Sequence, residues 1–301
     1  MKGLRQAVSF LGVAVILASA SPAAALPQRR FARVPVVNSG ADEYLPAADG
    51  TYVAWTANTF QRKNRFNVYF SVGGGPKQRV NPPGTQADTG GIDGTELIYT
   101  QYTPDEVDLA LYDLETESVL PTPTGVNTGR HEFSASNSGD YLLFDRDLFT
   151  RRRTLERIVL HNTSTTTETI LAESENDKFL VSGQVNGDWA VYVVCGRTCN
   201  VFRYDITGES ASKVPNPGDK QQYAASVSEA GVVYFARSAP RCGQNVRFMT
   251  WDGASDPALF RDLPDGKDSF DTFYDNTGSS LYFERINCRD FSSDIFSEPV
   301  L

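Results

Sequence analysis

Apolar and polar residues alternate along most of this chain in short runs, and Gly, Asn, Asp and Pro interrupt the runs at frequent intervals. Alternation with a period of two is the signature of half-buried strands, and no repeat shows the spacing of an amphipathic helix. Between residues 88 and 121 the pattern predicts strands at 88–92, 95–101 and 108–113, with a turn at Asp93-Gly94. After a turn in LETES, a fourth strand runs from Ser118 to Pro121. The stretch IDGTELIYT (92–100) inside this unit recurs in altered form as ADGTYVAWT, NSGDYLLFD, VNGDWAVYV, EAGVVYFA and NTGSSLYFE. The turn glycines are Gly50, Gly94, Gly139, Gly187, Gly231 and Gly278, at intervals of 44, 45, 48, 44 and 47 residues. Each is followed by an aromatic residue, in turn Trp55, Tyr99, Phe144, Tyr192, Phe235 and Phe283. A third-strand signature, an aromatic and an Asp leading into small residues, recurs in FRYDITGES (202–210) and FMTWDGASD (248–256). There the Asp side chain can cap turn amides.

Four antiparallel strands every 44–48 residues predict an all-β fold, a six-bladed β-propeller, because radial packing covers both faces of each blade and leaves only short edges. The count closes. The sixth repeat has strands near 271–275, 279–285 and 293–297 but lacks a fourth, and an extra strand-like segment, RFARVPVVN (30–38), precedes the first repeat. That segment is expected to complete the last blade and tie the ring shut. The repeated pattern resembles the TolB-like, WD40-like six-bladed propellers over about residues 30–301. Their Trp-Ser-Pro-Asp-Gly turn survives here as PAADG, GGIDG, SNSG, QVNG, SEAG and DNTG, without the Trp and Pro, which marks a divergent member. The resemblance implies the fold and leaves the activity open.

The N-terminus modifies this picture. Lys2 and Arg5 precede an apolar run from Ala7 to Ala18, and Ala23-Ala24-Ala25 offers small residues for cleavage. This three-part pattern predicts a signal peptide over 1–25, a single mature domain over 26–301, and a secreted, extracellular or periplasmic location with no membrane span after cleavage. A net charge of -9 excludes a general nucleic-acid or acidic-membrane binder. An exported chain with four cysteines is expected to form disulfides. On the propeller, Cys195 and Cys199 flank a short loop in blade four, and Cys242 and Cys288 occupy the corresponding loops of the adjacent blades five and six. The expected bridges are therefore Cys195–Cys199 and Cys242–Cys288, with a four-thiolate zinc site as the rival.

Candidate chemistry lies in the loops that differ between copies. Those between second and third strands are mostly basic: QRKNR (61–65), TRRRT (150–154), GRT (196–198), RSAPR (237–241) and RINCR (285–289), with TPDEVD (103–108) as the exception. Arg146, Arg237 and Arg285 stand two residues past the blade aromatic, and with Arg151, Arg152 and Arg153 they form the candidate binding set. The blade-joining loops on the same face are acidic, with Asp42, Glu43, Asp88, Glu132, Asp177, Asp219, Asp268 and Asp271. Acid–base pairing within this face competes with recognition of a protein or envelope polymer by an arginine rim. The candidates for catalysis are His131, Glu132, Asp145 and Asp147 at the channel mouth, which would make the chain a hydrolase or lyase. The other histidine, His161, falls in a third strand away from the axis. No nucleophile-elbow, phosphate-loop, zinc-helix or calcium-loop motif is present. The sequence predicts a monomeric, non-catalytic binding propeller with no cofactor, and leaves open whether the acidic loops hold calcium.

Overall fold

The computed structural model describes residues 34–37, 41–59, 65–149, 154–175, 179–237, 242, 247–262 and 269–300. Strand β1 is Val34–Val37. Blade one is β2 (Asp42–Asp49), β3 (Tyr52–Thr59), β4 (Arg65–Val72) and β5 (Gln78–Arg79). Blade two is β6 (Gln86–Asp93), β7 (Glu96–Tyr102), β8 (Val107–Asp113) and β9 (Ser118–Leu120). Blade three is β10 (His131–Ser138), β11 (Tyr141–Phe149), β12 (Thr154–Asn162) and β13 (Thr167–Glu175). Blade four is β14 (Phe179–Asn186), β15 (Trp189–Cys195), β16 (Cys199–Asp205) and β17 (Ser210–Lys213). Blade five is β18 (Gln222–Val227), β19 (Val233–Arg237), β20 (Arg247–Trp251) and β21 (Ala258–Asp262). Blade six has β22 (Ser269–Asn276), β23 (Ser280–Asn287) and β24 (Ser293–Pro299), and its fourth strand is β1. These are six four-stranded antiparallel sheets, and no helix occurs among the described residues.

The ring closes as the strand count demands. Val34, Pro35 and Val37 pair antiparallel with Ser297, Phe296 and Ile295. Apolar residues of neighbouring blades merge into six clusters, one per seam. Between blades one and two, for example, Val68 and Phe70 pack with Leu97 and Tyr99. At the closing seam Val37 and Ile295 pack with Val53 and Trp55. Full burial of such a side chain contributes about 1.5–3 kcal/mol, so the seams, each built from two blades, hold the ring.

The recurring turn also works across seams. All six turn glycines have positive φ, from 54° to 81°, a conformation glycine adopts without a Cβ penalty. In blades one, two and three the residue that ends the inner strand reaches forward to the next blade. Asp49 Oδ2 accepts the Gly94 N–H at 2.7 Å, Asp93 Oδ2 accepts the Gly139 N–H at 2.6 Å, and Ser138 Oγ accepts the Gly187 N–H at 3.0 Å. At the next seam the Gly231 N–H instead bonds Ser228 O within its own blade. There Arg203 is sandwiched between Trp189 and Trp251, 4.3 and 4.6 Å from the ring centres, and donates to Gly231 O at 2.6 Å. An arginine clamp thus takes the place of the missing cap.

Both disulfides have the expected pairing. Cys195–Cys199 joins the ends of β15 and β16, and Cys242–Cys288 links blade five to blade six.

Candidate functional site

The innermost strands do not run smoothly down the axis. In five blades an inner-strand pair lies opposite a single residue of the second strand: Leu45-Pro46 opposite Trp55, Gly90-Gly91 opposite Ile98, Ser134-Ala135 opposite Phe144, Gly183-Gln184 opposite Val191, and Ala224-Ala225 opposite Phe235. Such bulges bend a strand and re-aim its side chains. In the alternate blades one, three and five, Leu45, Ser134 and Ala224 take φ of 51°, 54° and 49°, at a cost on the order of 1–3 kcal/mol each. In blades two and four a Cβ on Gly90 would sit 2.4 Å from Ala135 O, and one on Gly183 would sit 2.6 Å from Val191 O, so only glycine fits.

The bulges surround a central cavity of about 400 Å³, lined by the inner strands of all six blades. Its lining is uneven. Blades four and five contribute Phe179, Val181, Val193 and Tyr223, while blades two and three contribute Asp88, Thr100, Tyr102 and Ser134. Towards the hairpin-turn ends of the strands a polar network crosses the axis. The Asp275 carboxylate accepts from Ala48 N at 2.6 Å, Asn276 N at 3.0 Å and Gln184 Nε2 at 2.5 Å. Gln184 Oε1 accepts from Val227 N at 3.0 Å, and Asn186 Nδ2 donates to Val227 O and Asn276 O. Burial pushes the Asp275 carboxyl up to about 7 against the pull of these donors. At the other end Asp88 accepts from Tyr102 Oη at 2.9 Å and Tyr44 Oη at 3.3 Å, and burial raises its carboxyl despite those bonds.

The structure distributes the residues singled out in the sequence. His131 and Asp147 face each other across β10 and β11, and neither lines the cavity. Glu132 is buried opposite Arg146, whose Nε donates to its Oε1 at 2.8 Å, and Thr128 Oγ1 donates to the same oxygen at 2.6 Å. Arg146 also holds Glu168 through two bonds of 2.8 and 2.9 Å and the carbonyls of Gly125 and Val126. His161, fully buried, lies 3.6 Å from Glu168, and burial pushes its imidazole pKa down. Asp145 is buried and accepts from the backbone and hydroxyl of Ser182, tying blade three to blade four, and burial holds its carboxyl well above the usual range. Arg285 grips Asp271 through bonds of 2.7 and 2.8 Å and lies over Phe283 and Phe296. Arg237 donates to Pro217 O. Arg151, Arg152 and Arg153, and the segment 1–25, lie outside the described residues. Arg146 and Arg285 are therefore joined to acids of their own face. Among the described residues no group of three His, Cys, Asp or Glu side chains is arranged to hold a metal.

Sequence reasoning missed the bulges and the cavity. A signal was present: small residues or a proline interrupt the inner-strand alternation at Pro46, Gly90-Gly91, Ala135, Gly183 and Ala224-Ala225.

No family model matches the chain, and no curated protein matches it. Solved structures do. The putative TolB from Agrobacterium tumefaciens superposes with a TM-score of 0.55 at 12% identity, over 88% of this chain and 93% of that one. TolB from Acinetobacter baumannii gives 0.54 at 14%, over 82% of this chain and 64% of that one. The β-propeller domain of the Trilobed protease from Pyrococcus furiosus gives 0.52 at 14%, over 86% and 97%. At such identities the likeness establishes the six-bladed propeller fold, which is shared by TolB proteins and by propeller domains of peptidases.

Proposed function

We propose that this chain is an exported, non-catalytic scaffold that binds a protein or peptide segment in its axial cavity. The observation that carries the reading is the cavity itself. Its volume falls in the usual range for ligand sites, and apolar walls with a few convergent polar groups are the ordinary composition of such sites. Strained or glycine-only bulges recurring around the axis support it, since backbone strain gathers at binding sites. The ion pairs of Arg146 and Arg285 favour the cavity over an arginine rim as the point of contact. The fold likeness to TolB proteins is compatible with this reading. Export follows from the segment 1–25 and agrees with two disulfides.

The test is to pan a displayed peptide library on the intact protein and on two variants, Val181→Trp, which fills the cavity, and the triple reversal of Arg151, Arg152 and Arg153 to Glu. Enriched peptides that lose binding to Val181→Trp but keep it with the triple variant support the cavity. Loss only with the triple variant would transfer recognition to the rim, and indifference to both would overturn the reading.

A further inference from the structure

One carboxylate at a position repeated around the ring lines the cavity and has no arginine opposite it. Each inner strand carries a residue paired with the second strand just ahead of the bulge region: Glu43 with Ala57, Asp88 with Thr100, Glu132 with Arg146, Val181 with Val193, Gln222 with Arg237, and Asp271 with Arg285. Four of the six are acids. In blades three and six an arginine stands directly opposite and neutralises the acid at 2.8 and 2.7 Å. In blade two the opposite residue is Thr100, and Asp88 is held by hydroxyls alone. Of the four acids only Asp88 lines the cavity.

The rest of the lining does not neutralise it. The described lining residues include no Lys, Arg or His, and the second carboxylate, Asp275, already accepts three hydrogen bonds within the floor network. A carboxylate has about four lone-pair sites. The hydroxyls of Tyr102 and Tyr44 take up two at Asp88, which leaves room for a further donor. Across the cavity stand the apolar groups of Phe179, Val181, Val193 and Tyr223. The site therefore combines an uncompensated negative charge, where the low local dielectric strengthens a charged hydrogen bond, with an apolar wall facing it.

We propose that the cavity binds a primary ammonium group carrying a hydrophobic substituent, with Asp88 as its counter-ion and the wall of Phe179, Val181 and Tyr223 receiving the substituent. The inference rests on the cavity being the binding site and adds the chemistry that selects the ligand. An ammonium has three donors, and Ser134 and Thr100, whose Oγ1 already accepts the Ser134 N–H at 3.1 Å, are the hydroxyl residues beside Asp88 in the lining. The same chemistry can come from the N-terminus of a peptide or from a lysine side chain.

Titration calorimetry on the intact protein separates these cases with small probes. Phenylalanine amide presents an α-ammonium beside a ring, Nα-acetyl-lysine amide presents an ε-ammonium, and N-acetyl-phenylalanine amide is the neutral control. At least one amine is expected to bind ten- to a hundredfold more tightly than the control. Preference for the phenylalanine probe identifies a chain terminus, and preference for the lysine probe identifies a side chain. Asp88→Asn should remove the discrimination. On the unaltered protein the affinity should fall as pH is lowered through the titration of Asp88. Its partners Tyr44 and Tyr102 stay protonated, and the other carboxylate of the lining, Asp275, lies at the opposite end of the cavity, so the fall should be lost in Asp88→Asn, where Asp275 is unchanged. Equal binding of the amine and the neutral control, or an affinity indifferent to both pH and Asp88→Asn, overturns the ammonium inference and leaves the cavity reading intact. If no probe binds, the ammonium inference fails, and if peptide capture also survives Val181→Trp, the cavity reading fails with it.

Discussion

Replacing Arg146 by Met tests whether the arginines of the loop face are scaffold or contact. The substitution keeps an unbranched apolar stem against the Phe144 ring, over which the guanidinium lies at 5.2 Å, and removes only the charge and its donors. The two acids it releases differ in their surroundings. Glu168 retains 29% side-chain exposure and can return to water, whereas Glu132 is at 0% and cannot. Leaving one buried charge uncompensated costs about 3–5 kcal/mol. For a domain of this size each kcal/mol lowers the melting temperature by about 2–4 °C, so calorimetry or circular dichroism should show a fall of about 6–20 °C. Adding Glu132→Gln removes the stranded charge, and the double variant should regain roughly half of the loss. A single variant melting within about 2 °C of the parent, or a double variant no better than the single one, would refute the reasoning.

Two further outcomes follow from the same geometry. Burial pushes Asp275 up to about 7 and Glu284 up to about 8, the second opposed by a Ser293 hydrogen bond and assisted by Asp42. Both folded values lie above the usual carboxylate range. The stability linked to them is thus fully present near pH 4 and is lost as pH rises through about 7 and 8, on the order of 4 kcal/mol for each group. Melting temperature should fall between pH 5 and 9, and Glu284→Gln should flatten the upper part of that fall; a melting temperature that rises across this range contradicts the assignment. Arg203→Ala removes two cation–π contacts and a bond to Gly231 O at the seam between blades four and five, and should cost about 2 kcal/mol in urea unfolding. Arg203→Lys should recover little of it, because an ammonium does not stack between two indoles as a guanidinium does, and full recovery would refute the stacking argument.

The ring was legible in the sequence because each blade repeats the same local physics. Strands predicted at 88–92, 95–101 and 108–113 are Gln86–Asp93, Glu96–Tyr102 and Val107–Asp113, and the orphan segment 30–38 supplies β1, Val34–Val37. The cysteine pairing followed from blade position alone. The face chemistry was harder to read because its decisive contacts are cross-strand. That Arg146 stands opposite Glu132 and Arg285 opposite Asp271 depends on hairpin register, and the inner-strand bulges shift that register by one residue. The blade aromatics show the same limit. Trp55, Phe144 and Phe235 lie opposite the bulge, whereas in blades two and four Ile98 and Val191 do, so the recurrence of an aromatic after the turn glycine hid two arrangements. Asp88 looked like one more member of an acidic loop set, and its distinction is that it lines the cavity with no arginine opposite it.

The caps at the turns give the ring a sense of circulation. Asp49, Asp93 and Ser138 each present an acceptor forward, and Gly94, Gly139 and Gly187 each present a donor backward, so every such joint is head-to-tail and none is self-complementary. In symmetry terms the blades behave as covalently linked protomers of a heterologous cyclic assembly, a type of contact that closes into a ring when its rotation allows. A chain divided between Ser138 and Gly187 would expose an acceptor end on one piece and a donor end on the other. The pieces are expected to recombine in sequence order, each with its complement, rather than to pair like with like.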